Sequence, residues 1–319
     1  MPLSTRLTGR FGLAHPIVLA PMAFAAGGRL AAAVSDAGGL GLVGGGYGNR
    51  DWIDAQLDIA DPSRVGVGFI TWSLARSPEL LEHVLGRRPR AIFLSFGDPR
   101  DPAQQVKEAG VPLLCQVQNR EDAELAIEAG ADVIVAQGSE AGGHGDTRGT
   151  FTLVPEVADL LASRSPDTLL CAAGGIADGR GLAAALVLGA DGVVVGSRLW
   201  ATAEANVSQS MQDAALASTG DGTVRTTVAD VVRKLDWPER FTARVLRNRF
   251  TDTWHGREEQ LREADPQVER DWVKGWADGD PERSNTFTGE GIGLIHSIEP
   301  AAAVLEQMST RATTLLRQA

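Results

Sequence analysis

Short runs of residues that are apolar on both faces recur along the chain at 16–21, 40–45, 65–70, 91–96, 112–117, 133–137, 168–173 and 192–195. Parallel strands covered by helices show this continuous apolar pattern, whereas half-exposed strands alternate. The stretches between the runs are amphipathic. The pattern predicts helices at 120–129, opening at Asn119, and at 179–188, stopped by Gly189. Eight strand–helix units in one chain predict an α/β fold, a closed (β/α)8 TIM barrel rather than an open doubly wound sheet. The rhythm breaks after the sixth run, where 138–152 is inserted ahead of the next helix. Catalytic groups of such barrels sit on loops after strands, so this insertion is the first place to seek chemistry.

From about Ala205 the pattern changes. Strand-like runs stop, and the spacing of Val231, Val232, Leu235, Trp237, Phe241 and Val245 predicts amphipathic helices. Three regions follow: a barrel over 1–204, a mainly helical C-terminal cap over 205–290, and a segment 291–319 that returns to the barrel through a helix from Pro300. Five of the seven tryptophans lie in or just before the cap, at 200, 237, 254, 272 and 276. The stretch 254–293 is expected to cover the barrel mouth.

Composition narrows the partners. A formal net charge of -11 argues against nucleic acid. It also means that an anionic substrate needs local positive potential. Cys115 and Cys171 lie inside apolar runs, which predicts two free thiols and a reducing compartment. No apolar leader and no unbroken membrane-length run is present, so the expectation is a soluble cytoplasmic protein with no membrane partner. The only lysines are Lys107, Lys234 and Lys274, and none ends a strand run, which disfavours Schiff-base chemistry. No His, Cys, Asp or Glu cluster has metal-ligand spacing, so no metal is expected.

Glycines end the last two strand runs at matched places, in Ala173-Gly174-Gly175 and in Gly196-Ser197-Arg198. In TIM barrels these two loops commonly hold a phosphate, because backbone N–H groups approach the oxygens where no Cβ intervenes. Ser197 would add a hydroxyl and Arg198 a cation. The plainer reading is that the glycines only turn the chain. The insertion carries His144 among Ala141, Gly142, Gly143 and Gly145, a setting in which a ligand can lie against backbone. An imidazole there can exchange a proton near neutral pH. His15, His83, His255 and His296 lack such a setting, although the glycines around His296 leave contact with the site open. Met22, after the first run, suits a flat aromatic ligand or the core. Gln116, at the end of the fifth, suits a polar ring edge or a structural amide.

At these residues the chain resembles the nitronate monooxygenase family, once called 2-nitropropane dioxygenases. The similarity spans nearly all of 11–204 and touches the C-terminal glycine-rich stretch. Its most specific string is Glu140-Ala141-Gly142-Gly143-His144; 16–22, 36–41, 95–97, 173–176 and 196–198 support it. The resemblance implies an FMN-binding TIM barrel with the phosphate at Ala173, Gly175, Gly196 and Ser197. The flavin ring would lie near Ala20, Pro21, Met22 and Gln116, with Gln137, Ala141 and Gly142 lining the same pocket. His144 would take the α-proton of a nitroalkane or stabilise the nitronate, and O2 would be the co-substrate, giving a carbonyl compound and nitrite. Two departures bear on substrate preference. Gly68 stands where many members carry Asn, and Gln116-Val117-Gln118 stands where many carry Thr or Lys.

Other readings remain. Related flavoenzymes with similar His loops are NAD(P)H-dependent FMN reductases of enoyl thioesters or quinones. A flavin-free isomerase or lyase of phosphorylated sugars would need a strand-end Lys or a carboxylate pair, which the chain does not offer. A loop nucleophilic Cys, as in inosine monophosphate dehydrogenases, is also missing. A non-enzymatic binding barrel would be colourless when purified.

Overall fold

In the computed structural model, which describes residues 3–318, all eight apolar runs contribute parallel strands. They are β1 (Ile17–Leu19), β2 (Leu42–Gly44), β3 (Gly66–Ile70), β4 (Ile92–Ser95), β5 (Leu113–Val117) and β6 (Val133–Gln137), then β8 (Leu169–Ala173) and β9 (Gly192–Val195). A further short strand, β7 (Gly143–Gly145), lies in the insertion after β6. The barrel sheet runs β1-β9-β8-β6-β5-β4-β3-β2. It closes between β1 and the residue leading into β2: Val18 bridges Leu40 in parallel, and Leu19 N–H donates to the Leu40 carbonyl at 2.9 Å. The fold is a (β/α)8 TIM barrel.

Side-chain direction along the strands explains how the barrel both fills itself and makes a site. Successive residues of a strand point to opposite faces. Val18, Phe93, Leu114, Val133, Val135, Leu169, Cys171 and Val194 point inward and pack together. Leu7 and Phe11 of the helix Arg6–Phe11 join this cluster. A Cβ on Gly192, the first residue of β9, would lie 2.4 Å from Leu7, so this helix plugs the amino-terminal end. The alternate residues, among them Ile17, Leu19, Val67, Ile92, Leu113, Cys115, Ile134 and Leu170, pack outward under the helices. Both cysteines are free and buried. Carried to the carboxyl ends, the inward register delivers Ala20, Gly68, Ser95, Gln116, Gln137, Ala173 and Gly196 to one cavity.

The helices follow local rules. The helix Arg120–Ala129 opens at Asn119, whose side chain accepts from Asp122 N–H, and ends at Gly130 in the left-handed region. Gly179–Val187 is capped by Asp178, and Gly189 beyond it has φ +98°. The last helix, Ala301–Leu316, lies against Gly179–Val187 so closely that a Cβ on Gly179 would sit 2.5 Å from the Met308 carbonyl. Among the described residues, no helix is long and apolar enough to cross a membrane.

The 205–290 region holds the helices Gln209–Leu216, Val228–Val232, Arg249–Trp254, Glu258–Arg262 and Pro266–Asp278. It also holds two strands, β10 (Thr223–Thr226) and β11 (Thr242–Leu246), which corrects the expectation that strands stop at Ala205. Phe241 and Val245 fit a helical spacing by chance. The period that operates is two, with Ala243 and Val245 buried and Thr242 and Arg244 half-buried. Leu235 and Trp237 lie in the connection between the helix Val228–Val232 and β11, not in a helix. β11 pairs antiparallel with β10 on one side and with β7 on the other, opposing Ala243 to His144.

The packed interior makes Leu114 a clean test. It is fully buried in the inner cluster, so Leu114→Ala should destabilise the protein by roughly 2–5 kcal/mol. Urea unfolding would show this as a lower midpoint at unchanged slope. An unchanged midpoint would mean that the inner layer is not close-packed.

Candidate active site

The insertion after β6 is anchored on three sides. The Ser139 carbonyl accepts from Arg225 Nε at 3.2 Å and Arg244 Nε at 3.1 Å. The Glu140 carboxylate accepts from Thr150 N–H and hydroxyl, while the Glu140 carbonyl accepts from Glu290 N–H at 2.9 Å. A Cβ on Gly142 would lie 2.5 Å from the Gly289 nitrogen. Gly142 lines the cavity with its backbone, and its missing side chain also admits the 288–289 backbone behind it.

On this support, β7 holds His144 almost out of water. Its side chain is 9% exposed, and Nε2 lies 2.9 Å from Asp230 Oδ2, itself on a side chain 4% exposed. Arg233 donates to the other oxygen, Asp230 Oδ1, at 2.9 Å. The imidazole stacks flat on the Trp237 indole, with centroids 3.4 Å apart and planes 5° apart. Phe96 stands edge-on to both rings from a backbone at φ +60°, a conformation bulky residues rarely hold. An ionised carboxylate only accepts, so the neutral imidazole carries its proton on Nε2. Nδ1, which has no protein partner among the described residues, keeps its lone pair. Burial pushes the His144 pKa below its ordinary 6.5; the hydrogen bond and charge of Asp230 oppose this, and Arg233 and Arg225 reinforce it.

The strand ends supply an amide chain behind the histidine. Gln137 Oε1 accepts from Gln116 Nε2 at 3.2 Å and Gln118 Nε2 at 3.0 Å, and Gln137 Nε2 donates to the His144 carbonyl at 3.2 Å. Ala20, Pro21 and Met22 border the same cavity from the end of β1, and Ala141 borders it from the insertion. Ala173 and Gly175 come from the end of β8, and Gly196 and Ser197 from the end of β9. Twelve of the residues singled out from the sequence thus line one cavity of about 800 Å³, within the range of cofactor-sized pockets.

Of the two glycine turns, the one at Gly196 leaves room where an anion would sit, whereas a Cβ on Gly174 would lie 2.8 Å from the Gly138 carbonyl oxygen and one on Gly175 3.3 Å from Glu140 Cβ. Gly174 and Gly175 have φ of +98° and +73°. The space of a Cβ at Gly196 is open, with Ala20 Cβ at 3.7 Å and Met22 Sδ at 3.9 Å as nearest atoms. Ser197 Oγ accepts from Gly289 N–H at 2.9 Å, which leaves its own hydrogen to donate. Arg198 does not face the cavity. Its guanidinium donates to the Ala201 and Ser297 carbonyls and to Glu299, because successive helix residues diverge by about 100°. At Gly68 a Cβ would lie 2.3 Å from Pro21 Cβ, so Pro21 occupies the space that an Asn would need.

The remaining histidines stand apart from the cavity. His15 bonds Ser309, His83 bonds Asp54, His255 is beside Glu258, and His296 is exposed. Asp230, Arg233, Trp237 and Tyr47 were not identified as site residues from sequence, and Phe96 and Gln118 entered only inside the segments 95–97 and 116–118. Of the first four, Asp230 had a cue: a carboxylate inside the apolar run Val228-Ala229-Asp230-Val231-Val232 is a candidate buried charge.

A family model described as nitronate monooxygenase matches residues 4–61 and 74–310. A nitronate monooxygenase from Metarhizium robertsii is 36% identical over 94% of this chain and 91% of its own length. Among solved structures, FabK from Thermotoga maritima is similar at TM-score 0.83 and 30% identity, covering 99% of this chain and 98% of its own. A nitroalkane oxidase from Streptomyces ansochromogenes is similar at TM-score 0.79 and 25% identity, covering 97% of this chain and 99% of its own.

The His144–Asp230 contact makes a signed prediction. The carboxylate raises the imidazole pKa against the effect of burial. Asp230→Asn removes the charge and should move the His144 pKa further down, as read by an NMR titration of labelled histidine. A pKa that stays put or rises in the variant would remove Asp230 as the group that tunes the ring.

Proposed function

The chain belongs to the nitronate monooxygenase family, and from that premise we propose that it is an FMN-dependent oxidoreductase that converts nitronates, and the nitroalkanes that yield them, with O2 to a carbonyl compound and nitrite. The observation that carries this reading is the buried His144–Asp230 pair opening onto a glycine-turned cavity at the carboxyl ends of the strands. The phosphate of FMN would lie against the backbone of Ala173, Gly175 and Gly196 and take the Ser197 hydroxyl. The ring would lie between Met22 and the Gln116–Gln137 amides, with Ala20 and Pro21 beneath and Ala141 and Gly142 at its side. Bound flavin supplies the electron transfer to O2 that no side chain here can perform.

The residues of the chain do the proton chemistry. A neutral nitroalkane places its α-carbon at His144 Nδ1. The C–H bond breaks, the proton goes to Nδ1, and the electron pair moves into the C=N bond of the nitronate. The Nε2 proton stays on the Asp230 side, and the carboxylate stabilises the imidazolium that forms. Because burial lowers the His144 pKa, the base form dominates at neutral pH, and turnover of nitroalkane should fall only once the pH drops below the ordinary imidazole range. A preformed nitronate needs no proton removed, only a charge partner. Trp237 and Phe96 cover the ring and keep water from the base.

Two variants test this. His144→Asn should lower turnover of a neutral nitroalkane by roughly 10²–10⁴-fold, the usual worth of a general base, and turnover of the nitronate by less. Flavin should be retained. Oxygen uptake on one flavin-loaded preparation measures both; equal loss on the two substrates would reassign His144 to charge stabilisation.

Gly175→Val should purify without yellow colour, since a β-branched residue is strained at φ +73°. Full FMN occupancy in that protein would move the phosphate elsewhere. A parent protein whose flavin bleaches rapidly with NAD(P)H, and which turns over neither nitro substrate, would favour the reductase reading.

A further inference from the structure

Beyond His144 the cavity runs outward and changes character. Its outer chamber is walled by Tyr47, Trp237, Trp272, Trp276 and Phe287, with Arg233 between them. Trp272 and Trp276, one turn apart on the helix Pro266–Asp278, stack with centroids at 5.6 Å and planes 8° apart. Phe287 meets Trp276 edge-on at 6.0 Å. At the rim, apolar side chains face water: Trp276 is 38% exposed, Val273 53% and Phe24 38%. Phe24 is held at φ +62°, unusual for a bulky residue. Single exposed apolar residues are ordinary, but a group that rings one cavity marks a binding surface.

The chamber is poor in available charge. Among the described residues that line the cavity, Arg233 is the one Arg or Lys. Its Nε donates to the Ala229 carbonyl, its Nη2 to Asp230, and its flat face lies within 5.7 Å of the Tyr47, Trp272 and Phe287 ring centroids. The acids of the rim, Glu269 and Asp278, are matched by Lys234 and Lys274. Nothing here is built to take a phosphate or carboxylate tail.

We propose that the outer chamber is the specificity site, and that it selects substrates with a bulky, uncharged, apolar body such as an aryl or cyclic alkyl group. The nitro carbon of such a molecule reaches His144 while its body lies against Trp237, Trp272 and Trp276. This rests on the functional reading above and deepens it. It separates large apolar nitro compounds from small nitro acids and from thioesters of phosphorylated carriers, all of which need cations or leave the chamber empty.

The test uses flavin-loaded protein and the nitronates of nitroethane, 1-nitrohexane, nitrocyclohexane, 2-phenylnitroethane and 3-nitropropionate. kcat/KM should rise roughly fourfold per buried methylene from nitroethane upward and be lowest for 3-nitropropionate. Trp276→Ala and Val273→Asp should each cut the 2-phenylnitroethane to nitroethane ratio by tenfold or more. Calorimetric titration with 2-phenylethanol, which has no nitro group to react, should show saturable binding with a negative heat-capacity change, weakened in Val273→Asp. A flat series, a preference for 3-nitropropionate, or no 2-phenylethanol binding overturns the proposal while nitronate oxidation stands. No turnover of any nitronate, with 2-phenylethanol still bound, instead overturns the functional reading and keeps the chamber. A rim variant that changes the oligomeric state in sedimentation but not the ratio would assign the rim to contacts between copies, and overturn the proposal.

Discussion

The antiparallel pairing of β7 with β11 is the contact on which the site depends. Three residues of the insertion, Gly143 to Gly145, pair with Arg244, Ala243 and Thr242. A strand sends alternate side chains to opposite faces, so this pairing fixes the direction in which His144 points. The same hairpin supplies what the ring meets. Asp230 and Trp237 both lie in the connection between β10 and β11. One supersecondary unit thus gives the imidazole its backbone support, its carboxylate and its stacking partner.

That arrangement carries an electrostatic cost, and the neighbourhood shows how it is met. A buried carboxylate is expensive unless paired and hydrogen-bonded. Asp230 has both oxygens engaged, one by His144 and one by Arg233. Behind β7, burial holds the Arg225 guanidinium down to about 10, yet it donates to the Ser139, Gly145 and Thr242 carbonyls. A cation held there binds the insertion to the hairpin through three carbonyls at once. Under the proposed function, such a support would hold His144 in place without reorganisation during reaction.

The barrel was legible because each strand is buried on both faces and reads as a continuous apolar run. The helix start at Asn119 was legible because capping is a local rule. His144 stood out through the small residues around it. What escaped was everything set by distance along the chain. Asp230 lies 86 positions from His144, and no local pattern links them. β10 and β11 escaped for a different reason: Thr223-Val224-Arg225-Thr226 and Thr242-Ala243-Arg244-Val245 alternate with arginines, which dilutes the apolar signal. Arg198 misled in the opposite sense. Sequence adjacency to Ser197 suggested a shared target, and one residue of helical rotation sent it to Glu299. At Gly142 the lack of a side chain was visible, but not that another backbone fills the space.

The charge distribution bears on the order of events. The chain carries a net charge of -11, although Glu269 and Asp278 at the cavity rim are paired with Lys234 and Lys274. A field of that sign disfavours the approach of an anion. A neutral nitroalkane crosses the same rim without that penalty. On the proposed reading it becomes charged only beside His144, where the proton just received leaves an imidazolium to balance it and the Trp237 and Phe96 rings exclude water. The attraction between the two charges is stronger there than at the rim, because the local dielectric is lower. The aromatic chamber and the buried base then serve one end. On that reading the first would draw in the uncharged body of the molecule, and the second would make the anion beside the group that balances its charge.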